Sequence, residues 1–315
     1  MYHVIVNPAA RSGRGKKNWE IVKRVLDEKE VKYKSYLTSK HGDAARIVSK
    51  ICKENERVHL MVLGGDGTLN EVIQGLDSFE NVALSTIPVG SSNDLARALR
   101  ISPDPVEAVT HLLTKPTILY MDMGTVHCEN SLVREGNMSI PDRHFLVSCG
   151  MGYDASVCHE ALSSGIKNFF NRLGLGKLSY LFICLKQLIF SRFVTAELTL
   201  EGSSDVISLE KLIFLGGMNN RYEGGGFMFA PDASNHDGMI DLLAVHGISK
   251  PGIIKLLPTA LEGEHLGNEG VDLYRTCGYS VRTSSPLWVH TDGEVETKAD
   301  YISVSCKKEA IKIIY

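Results

Sequence analysis

The residues with the clearest chemical potential are carboxylates set among glycines. Asp66 stands in Gly64-Gly65-Asp66-Gly67-Thr68, directly after the apolar run Leu60–Leu63. Glycine permits positive φ angles and lets a ligand lie against main-chain N–H groups. A helical pattern follows, with Leu69, Val72, Ile73 and Leu76 on one face. The start of a helix carries partial positive charge, so this corner suits phosphate. A carboxylate there fits a metal ion, a ribose hydroxyl or the geometry of the loop itself. The same residues also satisfy plain turn chemistry. Ser85 to Arg97 repeats the design with a short strand, Gly90, the hydroxyl pair Ser91 and Ser92, Asn93 and a helix start. Asp94 and Arg97 would secure that second corner as an ion pair or a cap. Two such corners in one pattern favour a phosphate site over coincidence. A third acidic stretch, Thr291-Asp292-Gly293-Glu294, could put one carboxylate near an attacking hydroxyl and the other near its neighbour or a metal. Asp-Gly is also the commonest hairpin turn, and Asp237-Gly238 reads in the same two ways.

The elements that must hold these residues alternate between strand and helix. Val4-Ile5-Val6 reads as a buried strand ending at Asn7-Pro8, and Ala9 to Lys17 adds Gly13, Gly15, Arg11, Arg14, Lys16 and Lys17. That loop lacks both the Walker A and the G-x-G-x-x-G spacing. Its cations and free N–H groups could still meet phosphates, or it could simply be solvated before an amphipathic helix carrying Trp19, Val22, Val25 and Leu26. Lys34–Thr38 reads as a second strand, Ala44–Cys52 as a helix, and Val82–Ile87 as a fourth strand. This alternation implies a mostly parallel sheet with helices on its faces. In such sheets ligands gather beyond the carboxyl ends of strands, where Asn7, Thr38, Gly64–Thr68 and Ser91–Asn93 all fall. One composite site follows from that shared edge.

Near Met121 the texture changes to short alternating segments separated by turns: His144–Ser148, Thr195–Leu200, Lys211–Leu215, Met239–Val245, Val281–Thr283, Leu287–Thr291 and Ile302–Cys306. They predict an antiparallel, sandwich-like or barrel-like second domain. The expected division is residues 1–121, with about 304–315 returning to them, against 122–303. At 315 residues and 43% hydrophobic, the chain has enough apolar material for two globular domains. A net charge of -3 disfavours nucleic acid as a partner. Seven cysteines without a C-x-x-C pair read as reduced side chains of a cytoplasmic protein. The opening Met1-Tyr-His-Val-Ile-Val reads as a strand and lacks the order of a signal peptide.

Ile166 to Phe193 carries Lys167, Arg172, Lys177, Lys186 and Arg192, no acid, and many apolar residues including Phe169, Phe170 and Phe182. It falls short of the roughly 20 apolar residues of a membrane span. It reads either as a core helix with outward cations or as a helix lying on an anionic bilayer.

Gly64-Gly-Asp-Gly-Thr68 followed by Pro88-Val-Gly-Ser-Ser-Asn-Asp-Leu-Ala-Arg97 resembles the nucleotide-binding half of the diacylglycerol kinase catalytic family, which includes bacterial lipid kinases and sphingosine kinases. Ser148-Cys-Gly-Met-Gly-Tyr-Asp154, Gly217-Met-Asn219, Gly224-Gly-Gly226, Ala230-Pro-Asp-Ala233, His236-Asp-Gly-Met-Ile-Asp241 and Thr291-Asp-Gly-Glu294 resemble its later landmarks, in order. The first motif alone is shared with NAD kinases. The resemblance implies a Rossmann-like domain of the phosphofructokinase and NAD kinase type, joined to a β-rich sandwich domain. ATP would lie between them, and a phosphoryl group would pass to a lipid hydroxyl. It further implies ATP contacts at Asn7, Pro8, Ala9, Ala10, Arg11, Thr38, Gly64, Gly65, Asp66, Gly67, Thr68, Leu69, Asn70, Glu71, Ser91 and Asn93. Ser91 is usually threonine in the family. Asp292 matches the general base, with Glu294 beside it. Asp237 matches a ligand of structural Mg²⁺, with carbonyls near Ser234 and Met239; His236 replaces an acid common there.

Phosphoryl transfer asks for positioning, charge neutralisation and a base, which these residues can supply with ATP and Mg²⁺. The leading expectation is a lipid kinase acting on diacylglycerol and touching an anionic membrane surface peripherally, with a homodimer left open. The alternatives are a soluble-substrate kinase resembling NAD kinase and a non-catalytic lipid-binding relative.

Overall fold

The computed structural model describes residues 1–130, 140–163 and 176–315, with only the backbone at 176–181 and at Glu296. The first half alternates as β1 (Tyr2–Val6), α1 (Ala10–Glu28), β2 (Tyr33–Leu37), α2 (Asp43–Glu54), β3 (Val58–Gly64), α3 (Asp66–Gln74) and β4 (Val82–Pro88). Short α4 (Asp94–Ala98) and α5 (Pro105–Thr114) follow. The strands pair in parallel in the order β2-β1-β3-β4. Successive side chains of a strand point to opposite faces, and β1 shows this directly. Ile5 packs with Ala44, Val48 and Ile51 of α2 and with Leu69, Val72 and Ile73 of α3. Val4 and Val6 pack with Trp19, Val22 and Leu26 of α1 and with Val109 and Leu112 of α5. Each fully buried aliphatic side chain contributes about 1.5–3 kcal/mol, so both faces of this sheet are firmly covered.

The second half is built from β5 (Ile118–Glu129), β6 (Arg143–Phe145), β7 (Ser148–Gly152), α6 (Tyr153–Ser163), α7 (Gly176–Phe190), β8 (Val194–Leu200), β9 (Val206–Leu212), β10 (Phe214–Met218), β11 (Ile240–Val245), α8 (Lys250–Leu256), β12 (Val271–Thr276), β13 (Gly278–Thr291) and β14 (Glu294–Ile314). Its pairings are antiparallel. Val126, Met151, Leu198, Leu215, Leu242, Val281 and Ile302 share its core. The far end of β14 returns to pair in parallel with β4, through Lys312↔Ala83 and Ile313↔Leu84. One strand thus ties the two sheets into a continuous order, β12-β11-β10-β7-β13-β14-β4-β3-β1-β2.

Several expected strands are redrawn. His144–Ser148 is split between β6 and β7, because the N–H groups of Leu146, Val147 and Ser148 turn to the carboxylate of Asp292. Lys211–Leu215 straddles the junction of β9 and β10, where Lys211 adopts φ 53° and the chain leaves one ribbon for the next. Val281–Thr283 and Leu287–Thr291 are one strand, β13, with a register shift between Arg282 and Leu287. No described helix is long and apolar enough to cross a membrane. Of the basic, aromatic segment, residues 166–175 and the side chains of 176–181, Lys177 among them, lie outside the described residues; the remainder holds the whole of α7.

Candidate active site

The two glycine corners touch each other. A Cβ on Gly65 would lie 2.9 Å from the Cα of Gly90, and one on Gly90 would lie 2.4 Å from the Cα of Gly65. No other residue type allows that approach. Asp66 then ties the corners from α3: its Oδ2 accepts the N–H of Asp94 at 3.0 Å and its Oδ1 that of Leu95 at 3.4 Å. A carboxylate at the start of α4 suits the partial positive charge there. Asn93, at φ 54°, closes its own loop, accepting the N–H of Gly90 at 2.9 Å and donating to its carbonyl at 3.1 Å. Asn7, at the end of β1, donates to Thr68 Oγ1 at 2.9 Å and accepts the N–H of Ala9 at 3.1 Å. Arg11 and Ser12 follow with φ of 47° and 58°. Thr38 is held on β1 through the carbonyl of Val6.

Across from these corners stands the β13–β14 turn. Asp292 Oδ1 accepts the N–H groups of Val147 and Ser148 at 2.8 and 3.1 Å, and Oδ2 accepts the N–H of Leu146 at 3.1 Å and the Asn70 amide at 2.9 Å. Burial raises the pKa of this carboxyl, and the four donors pull it back down. Asn70 is itself fully buried and accepts from Arg143 at 2.9 Å. Glu294 reaches over α3: a Cβ on Gly67 would meet its Oε1 at 2.1 Å. Between the corners and the turn lies a cleft of about 310 Å³ lined by Gly65, Asp66, Gly67, Ser91, Ser92, Asp94, Asp154, Glu223, Asp292 and Glu294 among others. Its outer wall is apolar, with Val157, Ala161, Leu162, Phe227, Phe229 and Leu257. A smaller cavity of about 70 Å³ adjoins it through Tyr153, Asp154, Phe229 and Leu257.

Of the expected nucleotide contacts, Gly65, Asp66, Gly67 and Ser91 line the cleft, whereas Asn7, Pro8, Ala9, Ala10, Arg11, Thr38, Gly64, Thr68, Leu69, Asn70, Glu71 and Asn93 are outside its lining. Leu69 is buried in the core of the first domain. Glu71 turns to α2, accepting the N–H of Ala44 at 3.2 Å and lying 3.0 Å from His41. Asp237, Ser234 and Met239 lie outside the cleft lining. Asp237 Oδ1 accepts the Met239 N–H at 2.9 Å, and its Oδ2 is taken by the guanidinium of Arg275. The residues present therefore do not fit a cation at Asp237 unless Arg275 moves away.

The sequence reading passed over Asp154, Glu223 and His290 as chemical groups, and it gave Asp94 only a structural part. Asp94 lines the cleft, and its buried Oδ1, without a hydrogen-bond partner among the described residues, lies 3.8 Å from Arg97 Nε, the expected ion pair. Burial and the neighbouring Asp66 raise its pKa to about 7, while the N–H of Gly225 opposes the rise. The signal for Asp154 was legible: Gly150-Met-Gly152-Tyr-Asp154 is a third strand–glycine–helix corner.

The cleft lies between the ends of a parallel sheet and an antiparallel one, with carboxylates and helix starts on its walls, as phosphoryl transfer asks. Residues 1–126 match the diacylglycerol kinase catalytic domain, and residues 148–315 match the YegS C-terminal NAD kinase beta sandwich-like domain. The chain belongs to this diacylglycerol kinase family. It is 26% identical over 292 residues to a diacylglycerol kinase of Bacillus subtilis, covering 92% of this chain and 88% of that one. The fold is shared with a diacylglycerol kinase structure from Bacillus anthracis at a TM-score of 0.68 and 18% identity, covering 100% and 96%. A yeast NADH kinase in complex with NADH aligns at 0.52 and 11%, covering 100% and 82%.

Proposed function

We propose that the protein is an ATP-dependent lipid kinase that phosphorylates a hydroxyl of diacylglycerol, giving phosphatidate. The observation that carries this reading is the meeting of the Asp292–Glu294 turn with the start of α3 across one cleft whose outer wall is apolar. The triphosphate of ATP takes the paired glycine corners, against the N–H groups around Gly65–Thr68 and Gly90–Asn93, with the hydroxyl of Ser91 beside it. Asn7 to Arg11 and Thr38 border the same strand ends on the nucleotide side. The apolar wall and the adjoining cavity receive the acyl chains.

The acceptor hydroxyl approaches Asp292 by displacing the Asn70 amide, the only side-chain donor among its four. Asp292 takes the hydroxyl proton, the acceptor oxygen bonds to the γ-phosphorus, and the bond to the β–γ bridging oxygen breaks as ADP leaves. Leu146, Val147 and Ser148 hold the base in place through their N–H groups, so little reorganisation accompanies the proton transfer. Asp66, Asp94 and Glu294 line the same cleft and offer the oxygen chemistry that Mg²⁺ takes, with Arg97 Nε 3.8 Å from Asp94 Oδ1 as the cation now nearest that oxygen. When bound, that ion would neutralise phosphate charge.

Access from a bilayer is supported by Leu162 on α6 and by Phe182, Ile189 and Phe190 on α7, each 50–74% exposed. Leu162 also lines the cleft, so the apolar rim is continuous with the acceptor wall. The test is transfer of ³²P from labelled ATP into diacylglycerol presented in anionic vesicles. Labelled phosphatidate is the expected product. Label confined to an aqueous nucleotide, or to no acceptor in a total lipid extract, would defeat the proposal.

A further inference from the structure

Six carboxylates line the cleft, Asp66, Asp94, Asp154, Glu223, Asp292 and Glu294; among the described residues no lysine or arginine lines it, and Arg97 pairs with Asp94 from 3.8 Å. Four of them belong to the phosphate corner and the base. Asp154 at the start of α6 and Glu223 in the loop after β10 do not. Between them lies the His290 ring, its side chain fully buried, with Nε2 2.7 Å from Asp154 Oδ2 and 3.1 Å from Glu223 Oε1. The N–H of Gly293 points at His290 Nδ1 from 3.2 Å. That contact makes Nδ1 an acceptor and places the ring proton on Nε2, where one N–H serves two carboxylates.

The outer oxygens are left over. Asp154 Oδ1 and Glu223 Oε2 are buried and have no hydrogen-bond partner among the described residues, and Glu223 as a whole is only 7% exposed. One oxygen of each carboxylate and a nitrogen of His290 fall within 4.8 Å of one another. The backbone makes room for the cluster: a Cβ on Gly150 would lie 1.8 Å from Asp154 Oδ2 and 2.3 Å from His290 Nε2. Buried carboxyl oxygens without a hydrogen-bond partner are costly and favour a ligand. The donor set decides which kind. Nε2 carries its proton, so nitrogen is not offered. What remains is hard carboxylate oxygen on two neighbouring side chains of one cleft wall. Mg²⁺ and Mn²⁺ bind through one or two carboxylates and complete their shells with water.

We infer that Asp154 and Glu223 hold a divalent, oxygen-seeking cation on the second-domain wall of the cleft, separate from the ion at the phosphate corner, with His290 fixing their inner oxygens. The inference rests on these three side chains and stands whichever acceptor the enzyme uses.

The experiment is a Mn²⁺ titration of the nucleotide-free full-length protein, read by the electron paramagnetic resonance of free Mn²⁺. Glu223→Gln and Asp154→Asn should each lose one Mn²⁺ per chain or weaken it at least tenfold, with metal-free melting temperatures near wild type. Glu294→Gln should keep that ion. Titrations unchanged in both Glu223→Gln and Asp154→Asn overturn the inference. Crystals soaked in Mn²⁺ test it without a variant: an anomalous peak between Asp154 and Glu223 supports it. A peak only beside Asp66 and Glu294, or a hydroxyl- or ammonium-bearing molecule hydrogen-bonded to the orphan oxygens in the cation's place, overturns it.

Discussion

The side-chain amide of Asn70 donates to Oδ2 of Asp292 at 2.9 Å, joining residues 222 positions apart and closing the cleft from its two sides. Asn70 belongs to α3, whose start forms the first glycine corner, whereas Asp292 belongs to the β13–β14 turn. The bond fastens the turn to the start of α3 before any acceptor arrives, and it is the one of the four bonds to Asp292 that a side-chain movement can release.

Asp292→Asn should therefore cut kcat by about 10²–10⁴, the usual worth of a positioned base. The new amide would also face the N–H groups of Leu146, Val147 and Ser148, at a stability cost of about 1–3 kcal/mol. Asn70→Ala should cost a similar amount in a denaturant titration and still turn over, because it frees the base without removing it. Wild-type kcat in folded Asp292→Asn would end the assignment.

Gly90→Ala should act on nucleotide binding. Its methyl would stand 2.4 Å from the Cα of Gly65, and backbone cannot yield as a side chain can. Steady-state kinetics should show KM for ATP raised at least tenfold, with KM for the lipid little changed. A Cβ on Gly67 would instead strike the Glu294 carboxylate at 2.1 Å, so Gly67→Ala should lower kcat more than it raises KM for ATP.

Both glycine corners were legible because local rules agree there: an apolar strand, glycines, then a helix period. The central strands of the second half were not. Ser148–Gly152 and Phe214–Met218 are buried at every position, so they show no alternation and carry glycines that look like loop residues. The Asp154–Glu223–His290 cluster draws on three distant segments, and no spacing within any one of them announces it. Leu69 and Glu71 sit inside the matched motif, yet the 3.6-residue period turns them to the core and to α2.

Lipid access makes its own prediction. Ile189 and Phe190 end α7 at 65% and 74% exposure, beside a lysine, Lys186, already paired with Glu160 at 2.5 Å. Ile189→Asp with Phe190→Asp should reduce sedimentation with anionic vesicles several-fold and raise the apparent KM for vesicle-borne lipid. Turnover of a short-chain acceptor dispersed in water should be spared. Equal loss on both substrates would point to a folding defect and remove the membrane role.

The pH dependence of stability should carry the mark of His59. Its ring lies 4.2 Å from that of Tyr2 and its Nε2 2.9 Å from Ser85 Oγ, and burial, with Lys312 nearby, lowers its pKa to about 4. The unfolded chain titrates this residue near 6.5. Between those values the unfolded state binds more protons, so stability rises with pH from about 4 to about 6.5 and levels off above. Asp94 opposes this trend: raised to about 7, it binds its proton more readily when folded and favours the folded state as pH falls. The quantity to measure is therefore the difference between wild type and His59→Gln in denaturant midpoints at pH 5 and pH 7.5. The wild type should lose on the order of 1–2 kcal/mol more than the variant on going to pH 5. Parallel pH profiles for the two proteins would show that His59 titrates alike in both states and that its burial is not felt by the proton.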